Sequence, residues 1–170
     1  MMIPVRLKHA IYSRKIRKAL NRKENSRENV NRKIGIITDA ADGESIQKLV
    51  KLSGELGFKK EELKLVVLGA NFEVSGMVKV IKLDTREVSA SGKFRSQEIL
   101  DFLAEEFELL VCYFSNKQEL ASLLAAEARS GMVFGNAPDN FGLYQVEVHA
   151  ADLDIFQQEI KKYYRIFKRE

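Results

Sequence analysis

The chain has too little cysteine, histidine and proline for several classes of protein. Its 170 residues include one Cys, two His, two Pro and no Trp. A single thiol, Cys112, cannot form an internal disulfide, which excludes a disulfide-stapled secreted scaffold. One Cys and two His are also too few for the usual Cys/His zinc site, so we expect no metal and no other cofactor. Scarce Pro and only ten Gly argue against low complexity and global disorder.

Long apolar runs are missing as well. None approaches the roughly 18 residues of a membrane span. Residues 1–18 lack the uninterrupted apolar stretch and the small-residue cleavage site of a secretory signal. Hydrophobic residues nevertheless make up 45% of the chain, which is enough for a core, and charged residues make up 31%. We therefore expect a soluble, cytoplasmic protein.

The formal charge of +4 is unevenly distributed along the chain. Residues 1–33 contain eleven Lys and Arg against two Glu, a net charge of +9, whereas residues 34–170 carry a net charge of −5. The bases of the first segment are Arg6, Lys8, Arg14, Lys15, Arg17, Lys18, Arg22, Lys23, Arg27, Arg32 and Lys33. We predict a basic helical arm and tether at 1–33 and a single domain at 34–170. Such asymmetry indicates a polyanionic partner for the arm.

The arm is predicted to be helical over residues 5–20, because apolar residues recur there every three or four positions. They are Ile11 or Tyr12, then Ile16, then Ala19 or Leu20. Bases cover the rest of the helix surface. The polar, Asn-rich segment 21–33 has no such period and is typical of a tether.

Three interpretations of this arm are open. RNA, ribosomal or other, would bind its charges through salt-sensitive phosphate contacts that do not read sequence. An anionic membrane surface or an acidic protein would accept the same charges, and the apolar stripe would dip into the membrane. A narrow stripe without Trp or Phe favours RNA over a membrane. Alternatively, the stripe packs on the protein's own body, and the charges simply face water.

Beyond Lys33, short apolar segments alternate with helical patterns. Strands are predicted at 34–39, 63–68, 77–83, 108–114, 131–134 and 141–148. Helices are predicted to begin at the capping residues Asp42, Ser96, Asn116 and Asp152. Strands of about six residues that alternate with helices of about three turns indicate βαβ units. We expect an α/β fold with a three-layer, mostly parallel sheet, Rossmann-like or flavodoxin-like, preceded by the basic helical arm.

A ligand cleft is predicted where the strands of such a sheet end. Open α/β sheets bind ligands beyond the carboxyl ends of their strands. The polar residues expected there are Asp39, Asp42, Asn71, Ser115 and Asn136. Asp39 and Asp42 are able to hold a cation or to take a proton from a substrate. The alternative is that both carboxylates cap the helix that follows them.

No catalytic constellation accompanies these residues. The sequence has no phosphate-binding G-x-x-x-x-G-K-[ST], no G-x-G-x-x-G and no G-x-S-x-G. Cys112 lies in an apolar segment and is interpreted as a core residue. We therefore expect a non-enzymatic binding protein whose basic arm contacts RNA, for example in the ribosome. The alternatives are a small-molecule or nucleotide-binding α/β enzyme that uses the cleft, and a peripheral protein of the inner membrane surface.

Three segments carry a resemblance to a known family. They are the apolar segment 34–40 that follows the basic helix, the approach to the central strand at 105–110, and the helix-to-strand passage at 125–135. In this order they resemble an uncharacterised bacterial family, a domain of unknown function in small α/β proteins with a basic N-terminal helix. The resemblance covers nearly the whole chain. It implies a fold, but no established activity and no functional residues.

Overall fold

A computed structural model describes residues 5–24, 32–40, 42–69, 80–115, 119–136, 142–150 and 152–168, with only the backbone described at 5–9 and 22–24. The helices of this part are α1 (Val5–Glu24), α2 (Gly43–Glu55), α3 (Gln97–Ala104), α4 (Glu119–Glu127) and α5 (Leu153–Lys168). The strands are β1 (Ile34–Thr38), β2 (Leu63–Leu68), β3 (Val80–Leu83), β4 (Glu106–Tyr113), β5 (Arg129–Gly135) and β6 (Val146–Glu147). Among these residues, no helix is both long and apolar enough to cross a membrane.

The six strands form one parallel sheet in the order β3-β2-β1-β4-β5-β6. From β1 the chain runs outward through β2 to β3, then crosses back over the sheet to β4. This is the strand order of Rossmann-type sheets, and it confirms the predicted α/β fold. Every residue of β1 is buried, as expected for a parallel strand that is covered on both faces.

Two helical layers cover the sheet. Buried side chains of α2 and α5 form one core with one face of the strands, including Ile34 and Ile36 of β1. Buried side chains of α1, α3 and α4 form the other core with the opposite face, including Ile37 of β1. The alternation between neighbouring residues of β1 follows from the two-residue period of a strand.

Helix α1 packs on the domain through its apolar stripe. Tyr12, Ile16 and Ala19 are 4%, 0% and 3% exposed and belong to the same core as α4. The interpretation that the stripe packs on the protein's own body is therefore confirmed. The helix also runs past the predicted residue 20 to Glu24, while residues 25–31 of the predicted tether lie outside the described part of the chain.

Several element boundaries differ from the sequence-based predictions. Strand β5, predicted at 131–134, spans Arg129–Gly135, and β1 ends at Thr38, one residue before its predicted end. Strand β4 begins at Glu106, two residues before the predicted start, because Phe107 lies in the core beneath α3 and pairs in register with Ser130 of β5. The strand predicted at 141–148 is reduced to Val146–Glu147. Just before it, Gln145 is hydrogen-bonded to Val133 of β5 through both its backbone N–H and its side-chain Oε1, so the side chain takes a place that a strand backbone would occupy.

Gly35, the second residue of β1, is required by the close approach of Leu110, Phe102 and Phe107. A Cβ atom at this position would lie 2.8 Å from Leu110 Cδ1 and 3.3 Å from ring atoms of Phe102 and Phe107. The Phe102 and Phe107 rings are themselves 4.8 Å apart between centroids. The missing side chain thus makes room for α3 to pack over β1.

Gly35→Ala is expected to lower the free energy of unfolding by about 1–3 kcal/mol, because the added methyl group overpacks a core that is already dense. The control is Gly54→Ala in α2, where a Cβ would meet nothing within 4 Å. That change should stabilise the helix by about 0.5–1 kcal/mol. Denaturant unfolding of both variants gives the comparison. A Gly35→Ala protein as stable as the wild type would contradict this account of the core.

Candidate functional site

Strands β1 and β4 lie side by side and parallel at the centre of the sheet. From β1 the following strands are added on one side, to β2 and β3, whereas from β4 they are added on the other side, to β5 and β6. Ligands of open α/β sheets bind beyond the carboxyl ends of the strands at such a point. Three predicted cleft residues follow strands there: Asp39 after β1, Ser115 after β4 and Asn136 after β5. We call this place the carboxyl-end crevice and define it by these three residues.

Asp39 joins the ends of the two central strands. Its Oδ1 accepts a hydrogen bond from the backbone N–H of Ser115 at 2.8 Å, and its Oδ2 accepts one from the Ser115 hydroxyl at 3.0 Å. Next to it, the hydroxyl of the fully buried Thr38 accepts a bond from the N–H of Ala40 at 3.1 Å. The carboxylate therefore locks the turn after β1 to the turn after β4.

Asn136 performs the same task between β4 and β5. Its Oδ1 accepts from the backbone N–H of Phe114 at 2.7 Å, and its Nδ2 donates to the carbonyl of Phe114 at 2.8 Å. The side chain thus continues the β4–β5 ladder beyond the strands. In the carboxyl-end crevice, the polar groups that the sequence identified are bonded to one another or to nearby backbone.

Asp42 and Asn71 do not join this group. Asp42 caps α2: its Oδ2 accepts from the Ser45 backbone N–H at 2.9 Å and from the Ser45 hydroxyl at 2.7 Å. The capping interpretation is therefore confirmed for Asp42. These bonds from Ser45, the side-chain bond first, hold the pKa of Asp42 below its ordinary value. Asn71 lies outside the described residues.

Tyr113 is a residue of this region that the sequence analysis missed. It is the last residue of β4, half-buried, with its ring 4.9 Å from that of Phe156 in α5. Burial raises the pKa of its hydroxyl, and the negative charges of Asp152, Asp39 and Asp42 raise it further. The signal in the sequence that could have identified Tyr113 is its place near the carboxyl end of a predicted apolar strand.

Other reactive groups are accounted for by the fold. Cys112 is fully buried in the core of β4, as predicted. His149 lies 3.6 Å from the Glu147 carboxylate at the exposed edge of the sheet. Within the described ranges, no three His, Cys, Asp or Glu side chains are grouped so as to hold a metal ion.

Three of the bases predicted to bind nucleic acid are engaged within the chain. The Nζ of Lys15 donates to the carbonyl of Gly92 at 3.0 Å. Arg32 donates to the carbonyl of Gly57 at 2.8 Å and lies 5.6 Å above the ring of Phe58. Lys33 pairs with Glu105. These three side chains attach α1 and the start of β1 to the domain.

Three other bases face solvent. Arg14, Arg17 and Lys18 are exposed on α1, and their spacing of three and four residues places them on one side of the helix. None of them forms an ion pair with any other described residue. We define these three as the cationic face. The side chains of Arg6, Lys8, Arg22, Lys23 and Arg27 lie outside the described part of the structure.

Asp39→Ala is expected to lower the free energy of unfolding by about 1–3 kcal/mol, since it removes a charged acceptor from two hydrogen bonds of Ser115. Asp39→Asn is the matched control. Its amide oxygen still accepts from the Ser115 N–H, and its NH₂ donates to the Ser115 hydroxyl oxygen, so it should stay close to the wild type. Denaturant unfolding at neutral pH measures both. Equal stability of Asp39→Ala and the wild type would argue against the lock between β1 and β4.

Asp42→Ala should cost about 1 kcal/mol at pH 7 through the loss of the α2 cap. Because the folded pKa of Asp42 is lowered, the stability that its charge contributes is complete above the unfolded pKa of about 3.9 and is lost as the pH falls through the folded pKa. The difference from the wild type should therefore shrink below about pH 4. Asp42→Asn, which caps without titrating, is the control. Unfolding curves at several pH values would refute the idea if the difference did not change with pH.

Comparison with known proteins identifies the family. No curated protein and no solved structure matches the chain. The model of a family of unknown function, DUF6913, matches residues 8–167. The match runs from α1 into α5, so the sheet, the carboxyl-end crevice and the cationic face all lie within it. This confirms the expected domain of unknown function: the chain belongs to the DUF6913 family.

Proposed function

We propose that this protein is a non-enzymatic binding protein that contacts RNA through the cationic face of α1. The observation that carries the proposal is the division of α1 into two sides. Tyr12, Ile16 and Ala19 are buried in the core, while Arg14, Arg17 and Lys18 are exposed on the other side. The fold holds these three charges outward, with their positions set by a packed helix.

In the part of the chain that the structure describes, no carboxylate neutralises these charges. Lys15 and Lys33 have carboxylate partners in Glu127, at 3.9 Å, and Glu105. No described carboxylate lies within ion-pair distance of the cationic face. Contact with phosphates would release the counterions condensed on the RNA, which gives binding that depends strongly on salt and little on sequence. The intramolecular contacts of Lys15, Arg32 and Lys33 support a structural role for these three.

The packing of α1 supports RNA over a membrane. An amphipathic helix binds a membrane by burying its apolar side among the lipids. In this protein that side is occupied by the domain core, so only the charges remain for a partner. A polyphosphate requires no more than charge. Ribosomal RNA in the cytoplasm, an abundant polyphosphate, is the target that we propose.

The carboxyl-end crevice is the second candidate site, for a small molecule or a nucleotide. The observation that favours it is that successive strands are added on opposite sides of the neighbouring strands β1 and β4, where open α/β sheets bind ligands. It ranks second because Asp39 and Asn136 already bond to Ser115 and Phe114. If the crevice binds a ligand through the charge of Asp39, Asp39→Asn should lose that ligand and keep its stability.

The proposal is tested with the triple variant Arg14→Gln, Arg17→Gln and Lys18→Gln in the full-length protein. Binding to labelled ribosomal RNA is measured at several salt concentrations. Each lost phosphate contact should lower the slope of log affinity against log salt by about 1, so the slope should fall by up to about 3. In lysate gradients, the wild type should migrate with ribosomal particles at low salt and be released at high salt.

The matched control is the triple variant Lys51→Gln, Lys60→Gln and Lys162→Gln, which removes the same charge from exposed positions on other elements. It should bind nearly as the wild type does. Equal losses in both triple variants would reduce the effect to net charge and overturn the proposed site. Binding of the wild type to anionic vesicles but not to RNA would assign the cationic face to a membrane instead.

A further inference from the structure

We infer that the RNA is double-stranded and that it contacts a surface made of two elements, the cationic face of α1 and the 89–93 loop beside it. This inference rests on the proposed function and specifies its partner. It is carried by the position and internal hydrogen bonds of the loop, by the exposed basic side chains in it and just after it, and by the burial of Tyr12 and Phe94.

The 89–93 loop is a tight, internally bonded turn. The Ser89 N–H donates to the Lys93 carbonyl at 2.8 Å, and the Gly92 N–H donates to the Ser89 carbonyl at 2.9 Å. The Lys93 N–H also donates to the Ser89 hydroxyl at 2.9 Å. Val88 and Phe94 flank the turn, form an antiparallel bridge and are both buried. The base of the loop is thus anchored in the core, and its backbone is held by its own hydrogen bonds.

Gly92 attaches this loop to α1. Its carbonyl accepts the hydrogen bond from Lys15 Nζ at 3.0 Å. A Cβ at Gly92 would lie 2.9 Å from Lys15 Cδ and 3.5 Å from the ring of Tyr12. The φ of Gly92, +81°, favours glycine. Lys18 of the cationic face follows Lys15 by three residues, so it lies one turn further along on the same side of the helix.

The loop that contacts α1 also carries basic side chains. Lys93 in the loop and Arg95 just after it are exposed. Ser91 is exposed as well, and its hydroxyl lies 2.9 Å from that of Ser89. Hydroxyl groups and bases are the side chains that most often contact phosphates. Because Gly92 contacts α1 directly, the fold holds the backbone that carries Lys93 beside the helix that carries the cationic face.

The aromatic residues of both elements are turned inward. Proteins that bind single-stranded nucleic acids without sequence preference stack the nucleobases on exposed aromatic side chains. Tyr12 is the only Phe, Tyr or Trp of α1, and Phe94 is the only one in 88–95. Their exposed fractions are 4% and 8%. Among its described residues, the surface therefore offers charge and hydroxyl groups but no exposed Phe, Tyr or Trp.

A surface of basic side chains on a packed helix and a hydrogen-bonded loop suits the regular array of phosphates along a duplex. Double-stranded RNA is recognised mostly by its shape, through phosphate and 2′-hydroxyl contacts. A single strand would have to be ordered on binding, which costs free energy that stacking normally offsets. Since Tyr12 and Phe94 are buried, the duplex is the form that this surface favours.

The experiment compares a labelled RNA duplex of about 20 base pairs with each of its two strands alone, using the full-length protein at several salt concentrations. The duplex should bind more tightly than either strand. Lys93→Gln should weaken duplex binding by about five- to tenfold at 0.1 M salt, the effect of one lost phosphate contact. Lys51→Gln in α2 removes the same charge elsewhere and should leave the affinity nearly unchanged.

The outcomes separate this inference from the proposed function. Binding of neither duplex nor strands would overturn both. Equal binding of duplex and strands, abolished by the triple change in the cationic face, would keep the proposed function and overturn the inference. A Lys93→Gln protein that binds as well as Lys51→Gln would show that the 89–93 loop is not part of the surface.

Discussion

The burial of β1 on both of its faces is the constraint on which the rest of the structure depends. All five residues of this strand are buried, and β2 and β4 flank it. Parallel sheets with such central strands require helices on both sides. On one side α2 and α5 provide the cover, and on the other α3 and α4 are joined by α1. The N-terminal helix is thus an integral part of a layer.

This requirement determines which part of α1 is available to a partner. The helix packs its narrow apolar stripe on the core, because exposing that stripe would forfeit the free energy of its burial. The bases must then face outward or find partners at the margin, as Lys15 does with Gly92 and Glu127. The basic residues of α1 that face outward, Arg14, Arg17 and Lys18, form the cationic face. Its charges are presented by a fixed scaffold, which is why we propose a partner recognised by charge and shape.

The same sheet explains the carboxyl-end crevice. Adjacent parallel strands end at the same edge, so residues far apart in the chain meet there. Asp39 and Ser115 are 76 positions apart and bond to each other, and Phe114 and Asn136 are 22 positions apart. In these contacts, polar groups at the edge of the sheet form hydrogen bonds with one another. The polar residues of the carboxyl-end crevice are therefore explained in part by their contribution to the stability of the strand ends.

Sequence periodicity was sufficient to predict the elements of this fold. Apolar runs such as 34–38, the cap at Asp42 and the stripe of α1 are local patterns, because burial of one side of an element recurs with that element's own period. The class of fold and the set of polar residues after the strands could be derived from these patterns. The uneven distribution of charge could also be predicted, since it depends only on which residues stand where along the chain.

The tertiary structure alone decided which elements meet. The order of the strands depends on neighbours that local patterns do not identify. The same holds for the position of Tyr113 near three carboxylates and for the start of β4. The clearest case is Lys15, which sequence analysis grouped with the solvent-facing bases although it bonds to Gly92, 77 residues away. Local sequence indicates which residues of an element face the core. The partners that a residue meets there belong to other elements, which the chain brings together only on folding.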